Sequence, residues 1–302
     1  MRWPGLGAMV VIALVGCSSP APSDPAPAAG PTGPGRKPVA AAVPEPAIAT
    51  SELERLRATG LGDWDAIVTR GYLRILIVPS RTEYAIEHDV QRGATFNAAK
   101  AFEAFVNSKP GGGTNPVKAV FIAVRNDALV AELTAGHGDI AANLVLTFER
   151  DDQVAFSDPV RTGVRELIVT GAGVPPIVSL EDVAGRDIHV RKSSDHYASL
   201  VRLNQQLARV DKPVCKIVVA NETLMDEDLV QLVNAGTIPA TLVDDYVFTL
   251  MKITVPKVAV NEAVAVSQDG IIAWAVRKDS PRLRALVNEF LKSHDVARQG
   301  DR

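Results

Sequence analysis

The chain has 302 residues, of which 47% are hydrophobic and 22% are charged, an ordinary balance for one large or two small globular domains. The formal net charge is -3 and no basic block is present, which argues against a nucleic-acid partner. The five histidines lack the spacing of a metal-ligand pair, so neither a metal nor a cofactor is predicted.

The first 17 residues have the features of an export signal. Arg2 supplies positive charge, and residues 8–15 form an apolar run shorter than the roughly 20 residues that span a membrane. The run ends in Leu-Val-Gly-Cys, which resembles the lipobox of bacterial lipoproteins and predicts lipidation of Cys17. The alternative is an ordinary signal peptide with a chance cysteine. The lipoprotein interpretation predicts a periplasmic protein anchored through Cys17 to the cell membrane or the outer membrane.

The segment 18–50 is rich in proline, alanine and glycine and has few large apolar side chains. Such a segment cannot bury enough surface to offset the entropy cost of ordering it, so it is predicted to be a disordered tether. The folded domain is then residues 51–302. Within it Cys215 is the remaining cysteine, and its apolar neighbours predict a buried, unreactive thiol on a strand.

Helical and strand patterns alternate along the folded part. Capping signals mark some of the helix starts, such as Ser179 with Asp182, and Pro281 at a first helical position. In chain order, the predicted helices are 51–60, 63–71, 95–109, 126–136, a single turn at 179–185, 193–210, 226–235, 246–253 and 280–294, and the predicted strands are 72–78, 117–124, 139–146, 165–170, 187–191, 216–220, 239–243 and 271–276.

This alternation predicts an α/β fold of mostly parallel sheets covered by helices on both faces. Because the order of elements repeats, we predict two lobes, the first from about 62–164 with 269–302 and the second from about 165–268. A single open sheet is the alternative. Ligands of such folds bind at the carboxyl ends of the strands, which in a two-lobed protein is the cleft.

Several stretches, taken in order, resemble a known family. They are residues 96–105 (FNAAKAFEAF), 138–143 (GDIAAN), 147–150 (TFER), 154–159 (VAFSDP), 190–194 (VRKSS), 234–236 (NAG), 240–245 (ATLVDD) and 273–277 (AWAVR). Together they resemble the type 2 periplasmic solute-binding proteins of the polar amino acid family, and most of all the solute-binding half of membrane-bound lytic transglycosylase F. The catalytic half of that enzyme would follow, and the chain stops at Arg302, so the resemblance implies binding without glycan cleavage.

The resemblance implies that Arg150 holds a ligand carboxylate, which a planar guanidinium grips with two parallel hydrogen bonds. The alternative is a surface arginine paired with a neighbouring carboxylate. It also implies that Asp244 pairs with a ligand ammonium, with Asp245 as an adjacent competitor and a helix cap as the alternative role. Val145 stands where a hydroxyl residue is common in the family, which points to a ligand other than a standard amino acid.

The remaining candidate ligand-binding residues are of four kinds. Ser193 and Ser194 open a long helix, whose free N–H groups and dipole favour an anion, although simple capping is equally compatible with them. Arg191 precedes them and would add positive charge to the cleft. Tyr84 would provide an aromatic surface against the ligand. Asn143 and Thr147 flank the strand that leads to Arg150 and could form hydrogen bonds with polar groups of the ligand.

The leading hypothesis is a non-enzymatic, monomeric protein that captures a zwitterion for transport or sensing. The zwitterion would be an amino acid, a short peptide or a peptidoglycan-derived peptide, and the partner a membrane permease of an ABC transporter or a cell-wall enzyme. One alternative is a non-catalytic regulatory protein of cell-wall metabolism. A second is a dehydratase-like enzyme on the same fold that recruits acids and bases of the cleft, namely Glu149, His189, His196 and Asp244.

Overall fold

The computed structural model describes residues 50–110 and 115–294. The predicted signal, the lipidation site Cys17 and the tether up to residue 49 lie outside the described residues. Within the described residues, none of the helices has the length and apolar character needed to cross a membrane.

The described part is a mixed α/β fold of nine α-helices and ten strands, together with short 3-10 turns. The helices are α1 (Thr50–Arg57), α2 (Trp64–Arg70), α3 (Ala94–Ser108), α4 (Leu129–Thr134), α5 (Phe148–Asp151), α6 (Asp195–Arg209), α7 (Asp226–Asn234), α8 (Asp245–Met251) and α9 (Pro281–Ser293). The strands are β1 (Tyr72–Ile77), β2 (Ala85–Glu87), β3 (Val90–Arg92), β4 (Lys118–Ala123), β5 (Ile140–Val145), β6 (Ala155–Thr170), β7 (Asp187–Arg191), β8 (Lys216–Ala220), β9 (Ala240–Asp244) and β10 (Ala259–Val276).

Eight strands form one sheet in the order β4-β1-β5-β10-β6-β9-β7-β8. Strand β1 runs parallel to β4 and β5, and β7 runs parallel to β8 and β9, as the alternating pattern predicts. We call the part of the molecule built on β4, β1 and β5 the first half, and the part built on β9, β7 and β8 the second half. This arrangement confirms the predicted class of two mostly parallel sets of strands flanked by helices.

The two halves are joined by β6 and β10, which the sequence patterns predicted only in part. These strands have 16 and 18 residues, and they pair antiparallel with each other through several register shifts. The predicted strands 165–170 and 271–276 are their carboxyl-terminal ends. The predicted lobe boundaries at 165 and 269 fall inside these two strands, in a stretch where their pairing shifts in register.

Each half has its own apolar core, which fixes the position of the strand ends. In the first half, the rings of Phe102, Trp274 and Phe290 meet edge-on or stacked, with centroids 5.4–6.2 Å apart. In the second half, Leu200 and Leu203 of α6 pack on the buried face of β7 and β9. Burial on this scale is the dominant favourable contribution to folding.

Capping residues and glycines in the sequence mark the starts and ends of several helices. Asp63 caps α2, Gly71 ends that helix in the left-handed conformation, and Ser194 caps α6 by accepting from Tyr197 N–H. The β2–β3 hairpin was not predicted, because its turn is formed by His88 and Asp89 at φ 50° and 64° instead of the usual Asn-Gly.

Candidate functional site

A cavity lies between the two halves, at the carboxyl ends of strands from both. Its wall in the first half comes from the loop after β1, the start of α3 and the end of β5, and its wall in the second half comes from the starts of α6 and α7 and the end of β9. It encloses about 130 Å³. Because one buried water needs roughly 10–15 Å³ of such space, the cavity has room for a small organic solute but not for a large one.

The wall in the first half carries a half-buried carboxylate, that of Glu83, on a hydrogen-bonded support. Asn143 donates to Glu83 Oε2 and to Thr95 Oγ1, and Thr95 Oγ1 donates to Glu83 Oε2 at 2.9 Å. Asn143 has φ 53°, a left-handed conformation that costs energy for residues other than glycine, and its amide points to this support. Burial raises the pKa of Glu83, and the hydrogen bond from Thr95 opposes this rise.

The wall in the second half holds a buried histidine between carboxylates. His196 Nε2 lies 3.1 Å from Asp244 Oδ1, and His196 Nδ1 lies 3.7 Å from Asp226 Oδ1. Arg191 Nη2 donates to the same Asp226 oxygen at 2.9 Å. Burial by itself would lower the pKa of His196, but Asp226, Asp244 and Glu166 together raise this pKa to about 10. The imidazole is therefore charged at neutral pH.

Glu166 adds a further carboxylate to this wall through strand pairing. In the antiparallel register of β6 and β9 it stands directly opposite Asp244, and two like charges in that arrangement repel each other. Its Oε1 accepts from Ser199 Oγ at 2.9 Å, whereas its buried Oε2 has no hydrogen-bond partner among the described residues. Burial raises the pKa of Glu166, and the charged His196 opposes this rise.

Hydrogen bonds and an ion pair link the two halves at the cleft mouth. Thr82 Oγ1 donates to Glu227 Oε1 at 2.7 Å, and Arg150 Nη1 lies 3.0 Å from Asp195 Oδ2. Asn126 Nδ2 also donates to Ser193 Oγ at 3.3 Å. The structure therefore has its cleft closed over the cavity.

Four of the eight predicted ligand-binding residues line this cavity, namely Asn143, Arg191, Ser194 and Asp244. Asn143 and Arg191 already bond to carboxylates of the protein, and Ser194 Oγ donates to the Arg191 carbonyl at 2.7 Å. Asp244 Oδ1 likewise has a partner within the protein, His196 Nε2 at 3.1 Å. Their ligand-binding roles stay predictions.

The other four predicted residues lie outside the cavity lining. Tyr84 is buried against Phe121, with ring centroids 5.2 Å apart, and Thr147 caps α5. Ser193 Oγ donates to Glu222 Oε2 at 2.5 Å. Arg150 donates to the Val145 carbonyl at 2.8 Å and pairs with Asp195.

The ionisable residues Glu83, Glu166, Asp226 and Glu227 of the lining were not predicted as ligand-binding residues. Asp226 and Glu227 open α7 next to the end of a parallel strand, and this position was the one available signal for them. Of the residues considered for an enzyme, His196 and Asp244 are in contact, whereas Glu149 is exposed and His189 lies outside the lining. Within the described ranges, no group of three or more potential ligand side chains is arranged to hold a metal ion.

A test of the charged histidine is the pH dependence of stability. Because the pKa of His196 rises from 6.5 in the unfolded chain to about 10 in the fold, its stabilisation is complete below pH 6.5 and is lost as the pH rises through about 10. Between pH 7 and 8.5, we expect the free energy of unfolding to fall by up to about 1.4 kcal/mol per pH unit. His196→Gln should remove most of that slope in urea titrations. An equal slope in both proteins would show that this histidine is neutral in the fold.

The fold and this closed cleft define a two-lobed α/β protein of the kind that encloses a small solute between its halves. A family model described as bacterial extracellular solute-binding proteins, family 3, matches residues 98–297. The chain belongs to this family.

Curated relatives and solved structures agree with that assignment. The membrane-bound lytic murein transglycosylase F of Desulfosudis oleivorans is 27% identical over 224 residues, which are 73% of this chain and 45% of that protein. The protein of the same name from Yersinia pestis (strain Pestoides F) is 27% identical over 239 residues, which are 76% of this chain and 44% of that protein. The chain thus spans less than half the length of these relatives and matches their solute-binding part.

Among solved structures, the amino acid ABC transporter substrate-binding protein AbpA from Streptococcus pneumoniae, bound to L-arginine, is similar with a TM-score of 0.64 and 19% identity, over 78% of this chain and 94% of that chain. An ancestral amino acid-binding protein described as a precursor of cyclohexadienyl dehydratase is similar with a TM-score of 0.59 and 24% identity, over 78% of this chain and 95% of that chain. These likenesses show the type 2 periplasmic-binding-protein fold.

Proposed function

We propose that this protein is a solute-binding protein of the bacterial cell envelope that captures a small ammonium-bearing molecule in the cleft between its halves. Zwitterions such as an amino acid, a short peptide or a peptidoglycan-derived peptide belong to this class of solute. The captured solute would be handed to a permease or sensed by a partner. The role is one of binding, in keeping with the family, and not of catalysis.

The observation that carries the proposal is the surplus of carboxylates around a closed, solute-sized cavity. Asp244 and Glu166 face it from the second half and Glu83 from the first half. Carboxylates in a cavity of low dielectric attract a cation more strongly than they would in water, and they recognise an ammonium group through hydrogen bonds. An ammonium group held between them would also link the two halves, which explains how the solute favours the closed cleft.

The family and the sequence of the amino terminus support a site of action at the cell envelope. The family is extracellular, and the curated relatives are named as membrane-bound. Lipidation of Cys17 with a tether over residues 18–50 would hold the folded domain at the membrane surface. Labelling with a radioactive fatty acid should mark the chain, and Cys17→Ser should abolish the label.

A thermal-shift screen with the full chain tests solute capture. Amino acids, short peptides, muropeptides and simple amines would be compared at equal concentrations. Because a solute that binds only the native state stabilises it, a true ligand at about 100 times its Kd should raise the Tm by about 5 °C or more. If every ammonium-bearing compound in the screen leaves the Tm unchanged, the protein is not a receptor for this class of solute.

A second candidate function is supported by the similarity to transglycosylase F. As a non-catalytic regulatory protein of cell-wall metabolism, the protein would bind an envelope enzyme through its surface, and its cleft would bind no solute.

A dehydratase-like activity is a third candidate, supported by the contact of His196 with Asp244 beside the cavity. A solute that raises the Tm in the screen and is recovered chemically unchanged would favour a solute-binding protein over the regulatory protein and over the dehydratase-like enzyme.

A further inference from the structure

The guanidinium of Arg150 is already occupied by a carboxylate of the protein itself. Asp195 is the first residue of α6, and its Oδ2 lies 3.0 Å from Arg150 Nη1 across the cleft. Asp195 lines the cavity and Arg150 does not. A solute therefore meets the carboxylate of this pair, and the guanidinium lies behind it.

The second arginine of the wall is neutralised in the same way. Arg191 is 3% exposed and pairs with Asp226 at 2.9 Å. Its Nε and the Nδ1 of His196 have no hydrogen-bond partner among the described residues, but both side chains form ion pairs with Asp226. Their charge is thus directed at this carboxylate, and neither offers a free cationic site to an anion.

The charge count of the lining then favours a cation. Six carboxylates line the cavity, from Glu83, Glu166, Asp195, Asp226, Glu227 and Asp244, against the cations Arg191 and His196. The unpartnered Oε2 belongs to Glu166, which is 8% exposed, and an acceptor buried in this way needs a donor. The lining has more carboxylates than cations. An ammonium or guanidinium group of a solute would donate a hydrogen bond to this buried acceptor and would balance the negative charge.

We propose that the cleft takes a small organic cation that lacks a carboxylate, an amine or a guanidine, because Asp195 already holds the guanidinium of Arg150. The proposal rests on the proposed function and narrows its class of solute. A zwitterion would have to bring its carboxylate close to Asp195, which repels it, or to displace that side chain from Arg150. A simple amine meets neither obstacle.

Matched pairs of compounds that differ only in the α-carboxylate test this directly. We would titrate the full chain calorimetrically with agmatine against arginine, putrescine against ornithine, and cadaverine against lysine. The unaltered protein should bind an amine of these pairs at least about tenfold more tightly than its amino acid. Asp195→Asn removes the internal carboxylate and frees Arg150, so it should reduce this preference at least about tenfold.

Two further variants control the result. Asp187→Asn removes one carboxylate from an exposed ion pair with Lys216, and it should keep the full preference for the amine. Arg150→Gln should leave the preference for the amine at least as large as in the unaltered protein, because it removes the countercharge of Asp195 and no group that touches the solute. This second variant keeps the test decisive if Asp195→Asn does not fold.

Each outcome separates the two proposals. If an amino acid binds the unaltered protein more tightly than its amine and Arg150→Gln selectively weakens the amino acid, Arg150 holds a ligand carboxylate and this inference is wrong, while the proposed function stands. If Asp195→Asn folds and leaves the ratio unchanged, the inference is also wrong. If no compound of any pair binds, the inference is wrong, and the thermal-shift screen with peptides and muropeptides decides the proposed function separately.

Discussion

Replacing Asp139 with alanine is expected to destabilise the protein by about 3–5 kcal/mol, the largest effect on stability that we predict. Asp139 is fully buried at the start of β5 and accepts from the Arg74 backbone N–H at 2.8 Å. It pairs with the side chains of Arg70 and Arg74, and Arg277 Nη1 lies 3.8 Å away. Removing it takes this countercharge from Arg70 and from the buried Arg74, whereas Arg277 keeps its ion pair with Asp279.

The measurement is urea unfolding of the full chain followed by far-ultraviolet circular dichroism. A suitable control is Asp65→Ala, because Asp65 and Arg282 form an ion pair on the exposed surface, where such pairs contribute little. The control should unfold nearly as the unaltered protein does. A loss below about 1 kcal/mol in Asp139→Ala would mean that water or rearranged side chains compensate the arginines.

Replacing Asp244 with asparagine is expected to weaken solute binding at least about 30-fold, which corresponds to about 2 kcal/mol or more. The side chain lies on the cavity wall, opposite Glu166 and in contact with His196. Asparagine keeps the shape but loses the charge, so the ammonium group of the solute loses its strongest partner. The best compound of the thermal-shift screen would be titrated into both proteins.

The neighbouring Asp245 offers a matched control for this variant. It pairs with Arg165 at 3.2 Å and lies outside the cavity lining, so Asp245→Asn changes the same charge one residue away. We expect its affinity for the solute to stay within about threefold of the unaltered protein. Equal losses in both variants would indicate a general effect on α8 and not recognition by Asp244.

The helices and parallel strands of the two halves could be predicted because their capping residues and apolar patterns indicate the same elements. Strands β7 and β8 have the bounds that their apolar patterns predict, and the α6 helix begins after Ser194. The amino-terminal parts of β6 and β10 could not be predicted. They contain Pro159, charged residues and shifts in register, and it is their pairing with each other that keeps them extended.

The site could be predicted only where local signals in the sequence determine it. The carboxyl ends of β5, β7 and β9 are visible in the sequence, and they bring Asn143, Arg191 and Asp244 to the cavity. Glu166 reaches it only because β6 pairs antiparallel with β9, and no local pattern encodes that register. The partner of Arg150 was likewise hidden, since Asp195 is 45 residues away in the chain.

The central claim is that the cleft between the halves encloses an ammonium-bearing solute. A crystal structure of the full chain with the tightest-binding compound of the screen tests it most directly. We predict one molecule in the cavity, with a nitrogen about 2.7–3.2 Å from a carboxylate oxygen of Asp244 or Glu166. A compound bound elsewhere on the surface, with the cavity unoccupied, would contradict the account.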